Sequence, residues 1–539
     1  MRFARIDLVL IPILTIGFAL RIVGLSVGLP DHPDPREPLI AQDILNLIHL
    51  ESPPQIYNWP GTAWFYLVAL IGVVLETFGL ELTVAQVIWL GRFINVLLST
   101  ATIWLTYQVG TQFYSRPIGL IGSGLLAVAM LHATNESRFA LVDIPATFCV
   151  ALLLWCCAKT QAVTFRRVVW LSVIVGIGFA VKFTTIFAGL SVVALLFLRA
   201  EHFRASDFFL KLATIVGVVG AAFTIVCPYW LVDLFSAEWN LFFDALLYES
   251  SHYQKGHFGL FATGEINWFN RFTYLWTLLR WGLGTPLTLL VIVGTVLAII
   301  QRKDADKILL AFVIPYLLFI GSHKLKFVRH LLLIYPVLTL FAAGCIDGVS
   351  TALSRWNWDR RNPILKQWIT LIFSATILGG VGVYSLIYTA AFANVARSVP
   401  TTVEAKEWIE SNIPPDKAIE REPEVLFDWV MPKLGREAYG EGAEWVVVSM
   451  PNAEVFLNYA ANPSHYSAID WYPLESVDTE ATGEFYERVF GKSGRYTLVQ
   501  RFQRQPRFLG IPISDHDAPF PIRALTHPEI RVYRLQKFH

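Results

Sequence analysis

The sequence predicts an all-α, polytopic membrane domain followed by a small soluble α/β domain. Three observations carry this. Apolar runs suited to spanning about 30 Å of hydrocarbon recur through the first 390 residues. Only 16% of the 539 residues are charged, against about 25% in a typical soluble chain, and the mean hydropathy is +0.50. Near Ala391 the apolar runs stop and a mixed helix and strand pattern begins. The expected division is a membrane domain, residues 1–390, and a C-terminal domain, residues 391–539.

The apolar runs lie near 7–27, 62–80, 84–110, 117–133, 141–158, 169–182, 184–198, 212–234, 283–300, 308–321, 330–350 and 367–390. The first is too long for a signal-peptide core and lacks a clear small-residue cleavage site, so it is expected to remain as a helix. The 18 Trp and 38 Phe suit aromatic belts at the membrane surfaces. Basic loops should face the cytoplasm. They are Arg2/Arg5, Arg116, Lys159/Arg166/Arg167, Arg199/Arg204/Lys211, Arg302/Lys303/Lys307 and Arg355/Arg360/Arg361/Lys366.

Three runs separate Arg5 from Arg116, so one of them should not cross. Run 62–80 follows Trp59-Pro60-Gly61, opens on Trp64, Phe65 and Tyr66, and carries Glu76, which suits an interfacial or re-entrant helix. Without it every basic loop falls on one side, leaving about 11 transmembrane helices plus juxtamembrane helices. The extracytoplasmic segments are then 28–83, 134–142, the turn at Lys182, 235–282, 322–329 and the C-terminal domain. The chain is expected in the inner or plasma membrane.

In the C-terminal domain Thr401-Thr-Val-Glu404 resembles a capping box that opens a helix through Ala405, Trp408 and Ile409. Strand-like runs follow at 445–449, 496–500 and 530–535. The five cysteines all lie in or beside apolar segments, with neither disulfide nor metal-ligand spacing, and read as small buried hydrophobes. A net charge of +1 gives no sign of a nucleic-acid partner.

The outer loops collect the polar residues that could carry chemistry. Asp34 and Glu37 stand in the first, where carboxylates at a membrane surface suggest function. His132, Asn135, Glu136, Arg138 and Asp143 surround the second. Lys182 stands at a break between two short apolar runs. Tyr248, Glu249, His252, Tyr253, Lys255 and His257 lie in the fourth, and His323, Lys324, Lys326, Arg329 and His330 between two late spans. A carboxylate can take the proton of an attacking hydroxyl, and Lys or Arg can hold a lipid phosphate. Blander readings stand beside these. Asp143 precedes Pro145 at a helix start, where Asp is a common cap, and Lys182 could snorkel. Lys324, Lys326 and Arg329 run against the positive-inside trend, which favours anion binding. The sequon Asn135-Glu-Ser137 sits almost on the membrane and is read as chance.

In order along the chain, these residues resemble a known family. His32-Pro33-Asp34 followed by Glu37-Pro38 is similar to the His-Pro-Asp-Glu-Pro signature of family 39-type glycosyltransferases, bacterial relatives of the protein O-mannosyltransferases and of the aminoarabinose lipid A transferase. Arg92-Phe-Ile-Asn95, Ser137-Arg-Phe-Ala-Leu-Val-Asp143-Ile-Pro145, the glycine-alanine-lysine segment Gly176-Ile-Gly-Phe-Ala-Val-Lys182, Gly256-His257-Phe-Gly259 and Lys326-Phe-Val-Arg329 through Pro336 match further motifs in sequence order. One departure is that Pro35-Arg36 splits the usual adjacent Asp-Glu pair. The resemblance covers about residues 1–390.

The resemblance implies a GT-C fold and transfer of a sugar, with inversion, from a polyprenyl-phosphate donor to a hydroxyl on a protein, lipid or glycan. Asp34, Glu37 and Asp143 become the catalytic candidates, with Asp34 favoured as base. Arg92, Arg138, Lys182, His257, Lys326 and Arg329 become the substrate-binding candidates. Some relatives use a divalent metal, for which Asp34 and Asp143 are the candidate ligands, but nothing in this sequence demands one. A polytopic transporter or flippase is the rival class, although no inverted repeat is visible. A third is an assembly or sensor protein with the outer domain as its working part.

Overall fold

The computed structural model describes the chain except for residues 1–6, 31–33, 35, 56–60, 136–137, 200–203, 236–240, 256–267, 325, 356–362, 423–436, 439–442, 462–478, 492–493, 525 and 537–539. The expected helical membrane domain is present, followed by a small domain with a five-stranded sheet.

The first helices set the sidedness of the rest. They are α1 (Leu10–Ile22), α2 (Glu37–Ile48), α3 (Thr62–Thr77), α4 (Val84–Phe113) and α5 (Arg116–Ala127). A capping box of Thr83 and Gln86 starts α4, and Ser115 caps α5 ahead of Pro117. α1 and α4 run antiparallel. At one end Arg116 and Tyr107 bind Asp7. At the other, Arg92 of α4 meets the carbonyls of Leu25 and Val27, just beyond α1. α2 and α3 lie between these two helices in sequence, so both belong to the Arg92 end. There the backbone N–H of Gly61 and the hydroxyl of Thr62 cap the last carbonyls of α7 (Phe165–Val181). α3 has 16 residues.

The remaining membrane-domain helices are α6 (Asp143–Lys159), α8 (Gly189–Leu198), α9 (Ala205–Val226), α10 (Tyr229–Phe235), α11 (Leu241–Lys255), α12 (Trp268–Leu283), α13 (Thr285–Gln301), α14 (Asp304–Ser322), α15 (Tyr335–Arg355) and α16 (Pro363–Ala396). Among the described residues, five helical stretches are long and apolar enough to cross a membrane. Other apolar runs form shorter helices, among them Leu10–Ile22, Thr62–Thr77 and Thr285–Gln301, and non-α turns stand at 131–135 (π), 183–188 and 328–334 (both 3-10). The loop expected at 235–282 is largely helical, as α11 and α12.

Arg21, which the sequence reading did not single out, is fully buried at the end of α1. It donates to Ser99 Oγ (2.6 Å), to the carbonyls of Gly17, Ala127 and Leu126, and to His132 Nδ1 (2.6 Å). A buried cation here is held by oxygens that a broken helix leaves unsatisfied, as lipid surroundings require.

After α16 come α17 (Thr401–Asn412), α18 (Met450–Ala461), α19 (Thr479–Phe490) and α20 (Phe520–Ala524). The sheet has the order β2 (Glu437–Ala438), β1 (Ile419–Arg421), β3 (Trp445–Ser449), β7 (Ile530–Leu535), β4 (Tyr496–Phe502). β2, β1 and β3 are parallel, and β7 is antiparallel to both β3 and β4. Both faces are covered, so the run 445–448 is apolar without alternation. Val446 and Val448 pack with Phe485 and Tyr486 of α19, while Trp445 and Val447 pack with Ala405 and Ile409 of α17. The capping box expected at Thr401 is not made. Thr401 Oγ1 donates instead to the Pro528 carbonyl (2.6 Å), and Glu404 pairs with Arg504. Tertiary partners outcompeted the local motif. A hairpin of β5 (Arg507–Phe508) and β6 (Ile511–Pro512) precedes α20, and Ala518 and Ile522 join the core of the membrane domain.

Candidate functional site

The site forms where the loop between α1 and α2 meets three helix breaks. Glu37, the first residue of α2, is wholly buried. Its carboxylate accepts two bonds from Arg92, Nε to Oε1 at 2.8 Å and Nη2 to Oε2 at 2.6 Å. It also accepts the backbone N–H groups of Ala140 (2.7 Å) and Asp34 (3.0 Å). Arg92 spends its remaining nitrogen on the carbonyls of Leu25 (2.9 Å) and Val27 (2.8 Å). Both side chains, expected to face substrate, are therefore bonded to protein, and they tie the end of α1, the first loop and the 139–142 turn together. Asn95 completes the tie by donating to the carbonyls of Phe139 (2.7 Å) and Leu141 (2.8 Å). Arg138 lies over the Phe139 ring in the same turn.

Three residues earlier, Asp34 binds Arg36 side-on. Arg36 Nε and its backbone N–H donate to Oδ1 (2.8 and 3.1 Å), and Nη2 donates to Oδ2 (2.8 Å). Burial alone would raise the Asp34 pKa. The Arg36 guanidinium outweighs it and holds the carboxyl below its ordinary value, so Asp34 is ionised at neutral pH.

The helix breaks supply the rest. Asp143 opens α6 where the pinned turn ends. Lys182 stands in extended backbone between α7 and the 3-10 turn, and its Nζ lies 2.5 Å from Asp143 Oδ1. Arg329, in the 3-10 turn before α15, places Nε 3.9 Å from Asp143 Oδ2 and stacks over Phe327. Arg329 acts electrostatically on Asp34 as well, and Arg36 on Asp143, so the two carboxylates share one field of cations. Lys326 is buried in the same break.

Tyr253 of α11, noted in the sequence among the fourth-loop residues but given no role there, reaches the break because tertiary folding carries α11 onto it. Its carbonyl accepts the Lys324 N–H (3.2 Å), and its hydroxyl is 3.3 Å from His330 Nε2. His330 Nδ1 accepts the Phe327 N–H at 3.4 Å, which assigns the ring proton to Nε2 and directs it to Tyr253 Oη. Burial raises the Tyr253 pKa, so the phenol stays protonated within range of Arg329 and Asp143. His257 lies outside the described residues. Beside Lys182, a cavity of about 420 Å³ is lined almost wholly by apolar groups, including Phe179, Phe183, Phe187, Phe223, Trp230 and Phe242.

The candidate metal ligands, Asp34 and Asp143, are both neutralised by protein cations, and among the described residues no group of three His, Cys, Asp or Glu could hold an ion. The arrangement does not fit a divalent metal.

The profile of the family described as dolichyl-phosphate-mannose-protein mannosyltransferase matches residues 62–231, the stretch holding Arg92, Arg138, Asp143 and Lys182. The fold is similar to that of apo ArnT from Cupriavidus metallidurans, at TM-score 0.51 and 13% identity over 84% of this chain and 94% of that one. It is also similar to the oligosaccharyltransferase of Archaeoglobus fulgidus, at TM-score 0.50 and 12% identity over 94% of this chain and 75% of that one. The chain shares the fold of these two transferases. The matched profile is that of a glycosyltransferase family and not of a transporter. No curated protein matches it significantly in sequence. The family profile stops short of both Asp34 and Arg329, so the complete site rests on the fold.

Arg36 makes the pH dependence testable. Asp34 has a depressed folded pKa, so its ionised form and the stability of its pair with Arg36 are present above the unfolded value near 3.8 and are lost as pH falls through the folded value. In Arg36→Gln the guanidinium's lowering influence is gone, while burial, the backbone N–H at position 36 and Arg329 remain. The acid limb of kcat/KM should then move to higher pH than in the parent, as read from a pH–rate profile of sugar transfer. An unmoved limb would show that Asp34 does not control it.

Proposed function

We propose that this enzyme transfers a sugar from a polyprenyl-phosphate donor to an acceptor hydroxyl at the extracytoplasmic face, by one inverting displacement. The observation that carries the reading is the convergence of Asp34 with the Asp143, Lys182 and Arg329 cluster beside an apolar chamber. An ionised carboxylate, a group of cations and an oily cleft are what a hydroxyl acceptor, a phosphate leaving group and an isoprenoid chain each need. Among the structural neighbours, ArnT has been captured with undecaprenyl phosphate and the archaeal oligosaccharyltransferase with dolichol phosphate and a peptide, which supports both the donor class and an acceptor partner.

Asp34 acts as general base. Oδ1 is occupied twice by Arg36, but Oδ2 takes a single bond from it, so Oδ2 keeps a lone pair for the acceptor hydroxyl. As the acceptor oxygen attacks the anomeric carbon, its proton passes to Asp34 and the carbon–phosphate oxygen bond breaks on the opposite side. Lys182, Lys326 and Arg329 stabilise the phosphate as its charge grows, and Tyr253 donates its phenol proton in a hydrogen bond to it. Asp143 orients Lys182 and Arg329. Glu37 and Arg92 hold the loops, and Arg138 is assigned to the acceptor. The aromatic chamber takes the proximal isoprene units.

This reading places residues 391–539 and the site outside the cytoplasm, because every basic loop then faces inward. A cysteine at position 399 should be labelled by an impermeant reagent from the outside of intact cells. Labelling from the cytoplasmic side alone would reverse the orientation.

Asp34→Asn should lower turnover by about 10² or more while donor binding stays near the parent value. Glu37→Gln should act mainly by loosening the fold, with a larger fall in thermal stability than in kcat of the folded fraction. The opposite ranking in kcat would move the base to Glu37. Arg329→Ala should weaken polyprenyl-phosphate binding by about 1–3 kcal/mol, and Arg329→Lys should recover part of it. Unchanged binding in Arg329→Ala, Lys182→Ala and Lys326→Ala together would remove the donor assignment.

A further inference from the structure

At the end of the helix bundle opposite Asp34, α13 and α15 touch and then part. They meet at Gly294, where a Cβ would lie 2.2 Å from the Phe341 carbonyl oxygen. Beyond that contact a cavity of about 430 Å³ opens between them, closed on its other sides by the α4–α5 corner and the start of α14. This is within the range of sites that hold small molecules. The deep wall is apolar, built by Leu297, Ala298, Leu340 and Phe341, together with Gly344 and Gly348. A Cβ at Gly344 or Gly348 would meet nothing within 4 Å, so α15 turns bare backbone toward open space.

The mouth is polar and carries both signs of charge. Gln301, Lys303, Asp347 and Thr351 line it, with Tyr114 and Asp306 behind. Asp306 is already engaged, accepting the Tyr114 hydroxyl (2.6 Å) and the Lys303 N–H (3.0 Å). Among the described residues neither Lys303 nor Asp347 belongs to an ion pair. A slot with an oily wall and a mouth holding one ammonium and one carboxylate matches an amphiphile whose head carries both a phosphate and a hydrogen-bonding cation. A purely anionic head would meet Asp347 and Asp306. A quaternary ammonium would lack a proton to give Asp347.

We propose that the cavity binds a glycerophospholipid with a zwitterionic, primary-ammonium headgroup, phosphate toward Lys303, ammonium toward Asp347, and one acyl chain against Gly344 and Gly348. In the orientation given above this lipid comes from the cytoplasmic leaflet. It is separate from the sugar donor, whose cations and aromatic chamber lie at the other end of the helices. Filling the wedge stabilises the folded enzyme by mass action.

The test uses the full chain in detergent with phosphatidylethanolamine, phosphatidylcholine or phosphatidylglycerol added, read by native mass spectrometry and by the thermal midpoint. The ethanolamine lipid should be retained in preference to the other two and should raise the midpoint. Gly344→Leu with Gly348→Leu, which has room for both side chains, should lower that retention by about tenfold or more, a loss of about 1.4 kcal/mol. Asp347→Asn, at an exposed position, should remove the preference over the choline lipid, and it keeps the test decisive if the double variant folds poorly. Equal retention of all three lipids by the parent would overturn the proposal. So would undiminished ethanolamine-lipid binding in the double variant, or a lipid-free dimer that fills the slot with a second copy.

Discussion

The buried pair of Glu37 and Arg92 is the constraint on which the site's end of the helix bundle depends. Burying two charges is costly unless every lone pair and proton is used. Here the carboxylate takes four donors and the guanidinium two further carbonyls. Each of those bonds reaches a different segment: the residues after α1, the first loop, the 139–142 turn and α4. Removing either partner would leave the other buried and uncompensated, at a cost of about 3–5 kcal/mol. The two residues inserted between Asp34 and Glu37 acquire a meaning in this light. They let one acid turn into the core to bind Arg92 while the other binds Arg36 and faces the cluster of cations.

The second constraint comes from the bilayer. Irregular backbone at membrane depth persists only where protein satisfies it. Gly61 and Thr62 cap the end of α7 before Lys182, Asn95 holds the turn before Asp143, and Tyr316 donates to the His330 carbonyl at 2.5 Å in the turn that carries Arg329. Asp143, Lys182 and Arg329 each therefore stand beside a capped break.

The C-terminal domain is tied to the membrane domain through buried contacts. Ala518 and Ile522 lie in the membrane-domain core, and the strap that carries them is closed by His527 and Asp515, both buried. Thr401 and Met450 bond to the carbonyls of Pro528 and Glu529, so the strap, α17 and α18 share one anchor. Its sheet follows ordinary rules, with one continuous apolar strand covered by helices on both faces.

Sequence alone determined the membrane class and the three later strands. Those follow from hydrophobic run length, residue composition and local turn chemistry, which act over a few neighbours. The acids and cations of the site were also legible, because a charge beside a lipid-facing helix needs a reason. Their division of labour was not. Glu37 and Arg92 had the same motif credentials as Asp34 and Arg329, yet folding joined the first two across 55 residues into a buried fork. Arg21 and Tyr253 became important only through partners far away in the chain, and the Thr401 capping box yielded to Pro528. Tertiary structure decided these points because pairing free energy depends on burial and on which donors arrive together, and neither is encoded at the position itself.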